Sequence, residues 1–440
     1  MAKRIITALD VGSSKVCTII AAVPEGKEPP QVIGVYVHPS SGVKKGVIVN
    51  IDEATNAIAE SVAAAERMAG ITVSSVYATI GGKHITSLNS RGVVAVSHEE
   101  ISEDDTFRAI ENARTVSIPP SREILHIIPR EFLVDSEGGI IDPIGMSGSR
   151  LEVDTHIISA TTTALQNLVK CIQQNGLGIE DIVFTGWASS HAVLTDTEKE
   201  LGVMLLDIGG GTTSICIFQE GAIAYSGSVP LGGISVTSDL AIGLQVSLEE
   251  AEKLKLAYKR LLEQGISRTK TENLDEPALL RKASDKKGDS IDSEELDKDE
   301  LDVSSLGLES TTKISRSLYQ QIIDARLEEI FEMVSTQVSQ AGFDTGMPAG
   351  VVLTGGSAQL FDITRAAQKS FGVPSRVGEP CGLSGMVEEV SGPDFASCQG
   401  LVRHAMVEDV DVGSGKVART GSATPSFVSK IIKWIKSLIP

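Results

Sequence analysis

Cysteine is sparse in this chain, and no two cysteines are close together. Cys17, Cys171, Cys216, Cys381 and Cys398 are scattered through 440 residues without a C-x-x-C spacing. That excludes a disulfide frame or a cysteine zinc site and predicts reduced, buried thiols. The seven histidines also lack ligand spacing. Basic charge is short as well: a net charge of −19 leaves no surplus to neutralise phosphate backbones, so no nucleic acid is expected among the partners. No apolar run approaches the roughly 20 residues of a membrane-spanning helix. The opening "MAKRIITALD" passes straight into a strand pattern, so no secretory leader is expected. What remains is ordinary globular composition, 41% apolar and 22% charged, in a chain long enough for two large domains.

Two stretches echo each other. "IITALDVGSSKVCTII" at residues 5–20 and "LLDIGGGTTSICIF" at 205–218 both run a β-rich segment into Asp, an apolar residue and Gly. A short loop of small or hydroxylic residues follows, and then a second β-rich segment. Strand, tight turn, strand reads as a hairpin, and its return about 200 residues later reads as a duplicated domain. Helical patterns follow each copy, "EATNAIAESVAAAERMAG" after the first and "SLEEAEKLKLAYKRLLEQG" after the second, which makes the fold class α/β. Residues 86–155 carry short β-like pieces with polar turns and read as an inserted subdomain. Residues 266–312 are highly charged and poor in aromatics, and read as a solvated insertion. Residues 405–425 have linker composition.

The loop chemistry suits phosphates. Glycine lets backbone N–H groups approach phosphate oxygens without a Cβ in the way, and successive N–H groups in a turn form an anion-binding nest. Gly12 and Gly209, Gly210 and Gly211 supply the bare backbone, Ser13, Ser14, Thr212 and Thr213 add hydroxyl donors, and Lys15 adds a point charge. Asp10 and Asp207, at strand ends on opposite sides of the phosphates, would hold a hydrated Mg2+, a hard ion that prefers oxygen ligands. One such loop alone is also compatible with a plain hairpin turn; two copies with matching aspartates favour the phosphate reading. Gly232 and Gly233 in "VPLGGISVTSDLA", and Gly355, Gly356 and Ser357 in "VVLTGGSAQL", add two glycine pairs after strands, the second suited to a flat base on bare backbone.

The series "DVGSSK", "DIGGGTT", "PLGG", "AEKLK", "LTGG" resembles the actin/DnaK/sugar-kinase superfamily, in which two duplicated domains clasp ATP·Mg2+. The resemblance implies that Glu252 and Lys255 of "AEKLK" touch the ribose or base, although they also form an ordinary i,i+3 helix pair. It also implies that Gly355, Gly356 and Ser357 bound the adenosine. Within the superfamily the chain is most similar to the bacterial FtsA family, through "SSVYATIGGKHIT" (74–86), "HIIPREFLVD" (126–135), "DPIGMSGSRLE" (142–152) and "WASSHAVLT" (187–195). Together with the nucleotide motifs and the tail, these cover nearly the whole chain outside the charged insertion. One departure matters: where efficient hydrolases of the superfamily have Gln or Glu near the γ-phosphate, this chain has Thr185 and Gly186, so slow or absent ATP turnover is expected.

At 100° per residue, the segment "SFVSKIIKWIKSLI" (426–439) gathers Phe427, Val428, Ile431, Ile432, Trp434, Ile435, Leu438 and Ile439 within about 160° of arc. Ser429, Lys430, Lys433, Lys436 and Ser437 take the other side. At about 21 Å this helix is too short to cross a bilayer. Its lysine-backed apolar face suits an anionic membrane interface, the alternative being a helix docked on the protein's own core or a partner.

The resemblance implies an actin-like fold: a first core at 1–85 and 156–204, an inserted subdomain at 86–155, and a second core at 205–245 and 313–404. Residues 246–312 would form the small lobe with the charged insertion, and 426–440 the membrane-targeting helix after the linker. It further implies head-to-tail self-assembly and capture of the C-terminal peptide of FtsZ on the small lobe. Other division proteins join as partners, with anionic inner-membrane lipids at the cytoplasmic face of the division site. A small-molecule kinase of the superfamily, or another actin-like scaffold of MreB or PilM type, are the alternative readings.

Overall fold

The computed structural model describes residues 4–24, 28–272, 299–344 and 347–414. Two mixed sheets form the framework. In the first, Arg4–Val11 pairs antiparallel with Lys15–Val23, which pairs antiparallel with Gln31–Pro39. On its other side Arg4–Val11 runs parallel to Ser75–Ile80, itself parallel to Gly178–Phe184. The second sheet repeats this order. Val203–Ile208 pairs antiparallel with Thr213–Gln219 and that strand with Ala222–Val229; Val203–Ile208 then runs parallel to Val351–Thr354, and that strand to Ser375–Val377. The repetition extends to single residues: Asp10 sits opposite Cys17, and Asp207 opposite Ser214. The duplication read from the motifs is therefore a duplication of topology.

The inner strands Lys15–Val23, Val203–Ile208 and Thr213–Gln219 are buried almost throughout because both faces are covered. Helix Ile51–Ala69 lies on one face of the first sheet, capped by the Asn50 side chain at its start and by Gly70 in the left-handed region at its end. Helix Ala396–Ser414 lies on the other face, with Cys398, Leu401, Val402 and Ala405 packed against Ile6, Ala8 and Ile19. This corrects the expected boundary of the second core. The short strand Ser384–Gly385 joins the edge of the first sheet beside Gln31–Pro39, so the chain crosses back and its last described segment belongs to the first domain. The helix also runs to Ser414, into the stretch whose composition reads as linker.

The inserted subdomain is a four-stranded antiparallel sheet backed by helix Glu103–Arg114. Its strands span 86–161, six residues beyond the expected limit, because Arg150–Thr161 continues unbroken from the insert into the first domain's body. In the small lobe, helix Leu248–Glu272 is followed, after residues outside the description, by the hairpin of Glu300–Asp302 and Lys313–Ser315. Leu301 and Val303 are buried there in the second domain's core. The end of the charged insertion is thus folded, since two apolar residues amid the acids suffice to anchor it. Of the five cysteines, all free, Cys381 is exposed and the other four are buried as expected. The predicted tail helix with Phe427, Lys430, Ile431, Lys433, Trp434, Ile435 and Leu438, and most of the charged insertion, lie outside the described residues.

Candidate functional site

The two Asp-containing hairpins face each other across one cavity of about 970 Å3 between the domains. Each turn closes with the same bond: the Gly12 N–H donates to Lys15 O at 3.0 Å, and the Gly209 N–H to Thr212 O at 2.9 Å. The loops approach so closely that a Cβ at Gly210 would stand 2.6 Å from Ser14 Cβ, and one at Gly211 would stand 2.7 Å from Ser13 Oγ. Glycine is required here by close approach, not by unusual φ. Ser13 Oγ itself accepts from the Gly46 N–H at 2.9 Å.

Asp10 and Asp207 line this cavity from opposite sheets. Each is held by a serine on a helix, one leading from the first sheet to the second and the other packed on the first sheet. Ser189, on helix Thr185–Val193, donates to Asp207, and Ser397, on helix Ala396–Ser414, donates to Asp10 at 2.9 Å. Thr79 gives Asp10 a second hydroxyl. Burial pushes the Asp207 carboxyl up to about 7; the Ser189 bond opposes that shift and nearby Asp10 adds to it. A buried acid facing another acid is a group waiting for a cation. Where the two helices cross, a Cβ on Gly400 would fall 1.8 Å from Ala188 O, so the crossing is as close as backbones allow.

The base side is assembled from the second domain. The Gly355 and Gly356 backbone and Ser357 line the cavity, and Ser357 Oγ donates to Gly209 O at 3.1 Å. Lys255 donates to Gly233 O at 3.2 Å and to Thr237 Oγ1 at 2.8 Å while pairing with Glu252 at 2.7 Å. The i,i+3 pair is therefore not a plain surface pair: it fastens helix Leu248–Glu272 to the Gly233 turn and faces the cavity. Leu256, Lys259 and Phe361 complete that side.

Two expected contributors are placed elsewhere. Thr213 is fully buried, and its hydroxyl donates to Leu231 O at 3.0 Å, away from the cavity. The alternation of side chains along a strand turns it over, and Ser214 lines the cavity instead. Gly232 is structural: a Cβ there would meet Gly209 O at 2.4 Å. Thr185 lines the cavity, whereas Gly186 packs against Cys216 and Phe184 behind it. Thr79, Ser189 and Gln359 lie within stretches quoted above, but nothing in their spacing assigned them a place in the site; Asp394 and Ser397 fall outside every motif. Among the described residues no cluster of three or more His, Cys, Asp or Glu could hold a metal ion, so a cation here would rest on the aspartate pair, water and phosphate oxygens.

The family model described as "SHS2 domain inserted in FTSA" matches residues 82–159, and that of "Cell division protein FtsA" matches 204–400. Cell division protein FtsA of Pseudomonas aeruginosa is 33% identical over 98% of this chain and 97% of its own length. The chain belongs to the FtsA family. Membership in the FtsA family agrees with the inserted four-stranded subdomain and makes this a cell-division protein. The fold is shared more widely than FtsA. The PilM–PilN type IV pilus biogenesis complex superposes with a TM-score of 0.57 at 14% identity, over 91% of this chain and 98% of that one. MreB5 of Spiroplasma citri, described as bound to AMPPNP, does so with a TM-score of 0.52 at 13% identity, over 94% of this chain and 100% of that one. At such identities these two attest the actin-like fold only.

Proposed function

We propose that this FtsA-family chain binds ATP with Mg2+ between its domains and polymerises head to tail on the cytoplasmic membrane. There it holds FtsZ filaments at the division site through the FtsZ C-terminal peptide. The observation that carries the nucleotide part is the meeting of two glycine loops, Lys15 and the Asp10 and Asp207 carboxylates in one cavity. The donor set fits a polyphosphate: bare N–H groups of both loops, the Ser13, Ser14 and Thr212 hydroxyls, and one ammonium. Gly233, Gly355 and Gly356 leave flat backbone at the base end, with Glu252 and Lys255 beside it. The AMPPNP-bound MreB5 of the same fold supports the same ligand class. Thr185 stands where a water-orienting acid or amide would be, so turnover is slow or absent and the nucleotide acts as a structural ligand.

The membrane part rests on the sequence of 426–439, with its lysine-backed apolar arc. Head-to-tail contacts that do not close produce filaments, and many weak tails on one filament give avid attachment. The test is co-sedimentation with anionic liposomes and ATP·Mg2+, comparing the intact chain with one ending at Pro425, and electron microscopy of the pellets. Only the intact chain should pellet, with filaments on the lipid. Equal behaviour of the two chains would end the membrane reading, and monomers in both supernatants would favour a soluble kinase of the same fold.

A further inference from the structure

The segment 393–397 forms a wall of the cavity that no motif marked. Lys15 of the first loop pairs with Asp394 at 2.6 Å, with side chains 22% and 24% exposed, and lies over the Phe395 ring at 4.2 Å. Gln359 Nε2 donates to the other Asp394 oxygen at 3.0 Å. Pro393 O accepts from the Gly355 N–H at 3.0 Å and from Thr354 Oγ1 at 3.2 Å. Ser397, one turn on, holds Asp10. One short turn therefore touches the phosphate-loop lysine, a candidate metal-holding carboxylate and the base loop of the other domain. It then becomes the first turn of helix Ala396–Ser414.

Asp394 has a definite electrostatic sense. It is an anion bonded to the one ammonium that the first loop aims at phosphates. An incoming polyphosphate either displaces it from Lys15 or shares Lys15 with it. In the first case a charge-assisted bond is given up, and in the second two anions stand side by side. Both cases set Asp394 against the nucleotide.

We propose that Asp394 is a competing counter-ion for Lys15, so that polyphosphate binding releases the 393–397 turn and loosens the start of helix Ala396–Ser414. This rests on the nucleotide reading above and deepens it. Asp394 becomes a positioning residue that holds nucleotide affinity down and ties occupancy of the cavity to the helix leading towards the C-terminal segment. Asparagine at 394 keeps the shape and can still accept from Gln359, so folding should survive the change.

The experiment is calorimetric titration of the intact chain and of Asp394→Asn with ATP, ADP and AMP at saturating Mg2+, alongside hydrogen exchange of the amides at 394–400. The variant should bind ATP about fivefold tighter, as expected for loss of one partly exposed ion pair, with a smaller gain for AMP. Its amides at 394–400 should exchange faster without nucleotide, as those of the parent do once ATP is added. Lys15→Ala should erase the effect of the second substitution in a double-mutant cycle. Unchanged or weaker ATP binding by Asp394→Asn overturns the proposal while leaving ATP binding intact. A loss of ATP affinity that deepens when the titration is repeated at limiting Mg2+ would make Asp394 a metal ligand and overturn it too. No nucleotide binding by the parent overturns both readings.

Discussion

Replacing Asp207 with asparagine should stabilise the protein at alkaline pH while removing half of its cation grip. The carboxyl sits at about 7 against an ordinary 3.8, chiefly because burial disfavours its charged form. The native state therefore binds this proton more tightly than the unfolded chain does. Stability is highest, as far as this group decides it, below the unfolded value. It falls by about 1.4 kcal/mol per pH unit as pH rises towards the folded value, and levels off above it. Between pH 5 and pH 8 the parent should lose about 2 to 3 kcal/mol that the variant does not lose. Asparagine can still accept from Ser189, although its amide group needs a new acceptor, which offsets part of the gain. Thermal or urea unfolding at both pH values, with neither nucleotide nor Mg2+, measures the difference. A variant no better off relative to the parent at pH 8 than at pH 5 would refute the reasoning. In parallel, Mg2+-dependent ATP binding by the parent should strengthen as pH rises through about 7 and lose that dependence in the variant.

Three further substitutions probe separate parts of the frame. Gly210→Val would drive a side chain into Ser14 of the facing loop, and calorimetry should show ATP affinity falling by about tenfold or more, with the melting point lowered by an overpacking cost of about 1–3 kcal/mol; retained affinity would mean that the loops do not close on the ligand. Gly400→Ala puts a methyl against the Ala188 carbonyl, which no rotamer can relieve, and should cost about 3 kcal/mol or more, seen as a sharply lower melting point or loss of soluble protein. A shift under about 2 °C would show that the helix crossing is looser than drawn. Glu250 accepts from the Ser310 hydroxyl and from the amides of Ser247, Ser310 and Glu309; the Ser310 hydroxyl first, then the Ser247 and Ser310 amides, hold its carboxyl down at about 2. That contribution is present above the ordinary carboxylate range and is lost as pH falls towards about 2. Glu250→Ala should therefore speed hydrogen exchange at 309 and 310 at neutral pH, and unchanged protection there would sink the assignment.

Much of this protein was legible in its sequence. The Asp–Gly hairpins, their recurrence and the glycine pairs after strands are local patterns. Turn chemistry and strand periodicity act over a few residues, so they can be read there. Asp10, Asp207, Lys15 and the bare glycines fell into one cavity because the duplication is a duplication of topology: equivalent strands bring equivalent turns to the same edge. The insert showed in its short β-like pieces with polar turns, and the family in four quoted segments spread along the chain.

Other features needed the tertiary structure. The return of 384–414 to the first sheet turns on Leu401, Val402 and Ala405 finding Ile6 and Ala8, partners nearly the whole chain away, and composition cannot reveal such a pairing. Thr213 missed the cavity while Ser214 reached it because pleating, not motif membership, decides which face a side chain takes. Asp394 and the two serines that hold the aspartates lie in segments that carry no phosphate-loop signal, and they became neighbours of the site only when two helices crossed at Gly400. Sequence alone determined the chemistry that the loops offer. Packing of distant apolar residues decided which charges stand against that chemistry.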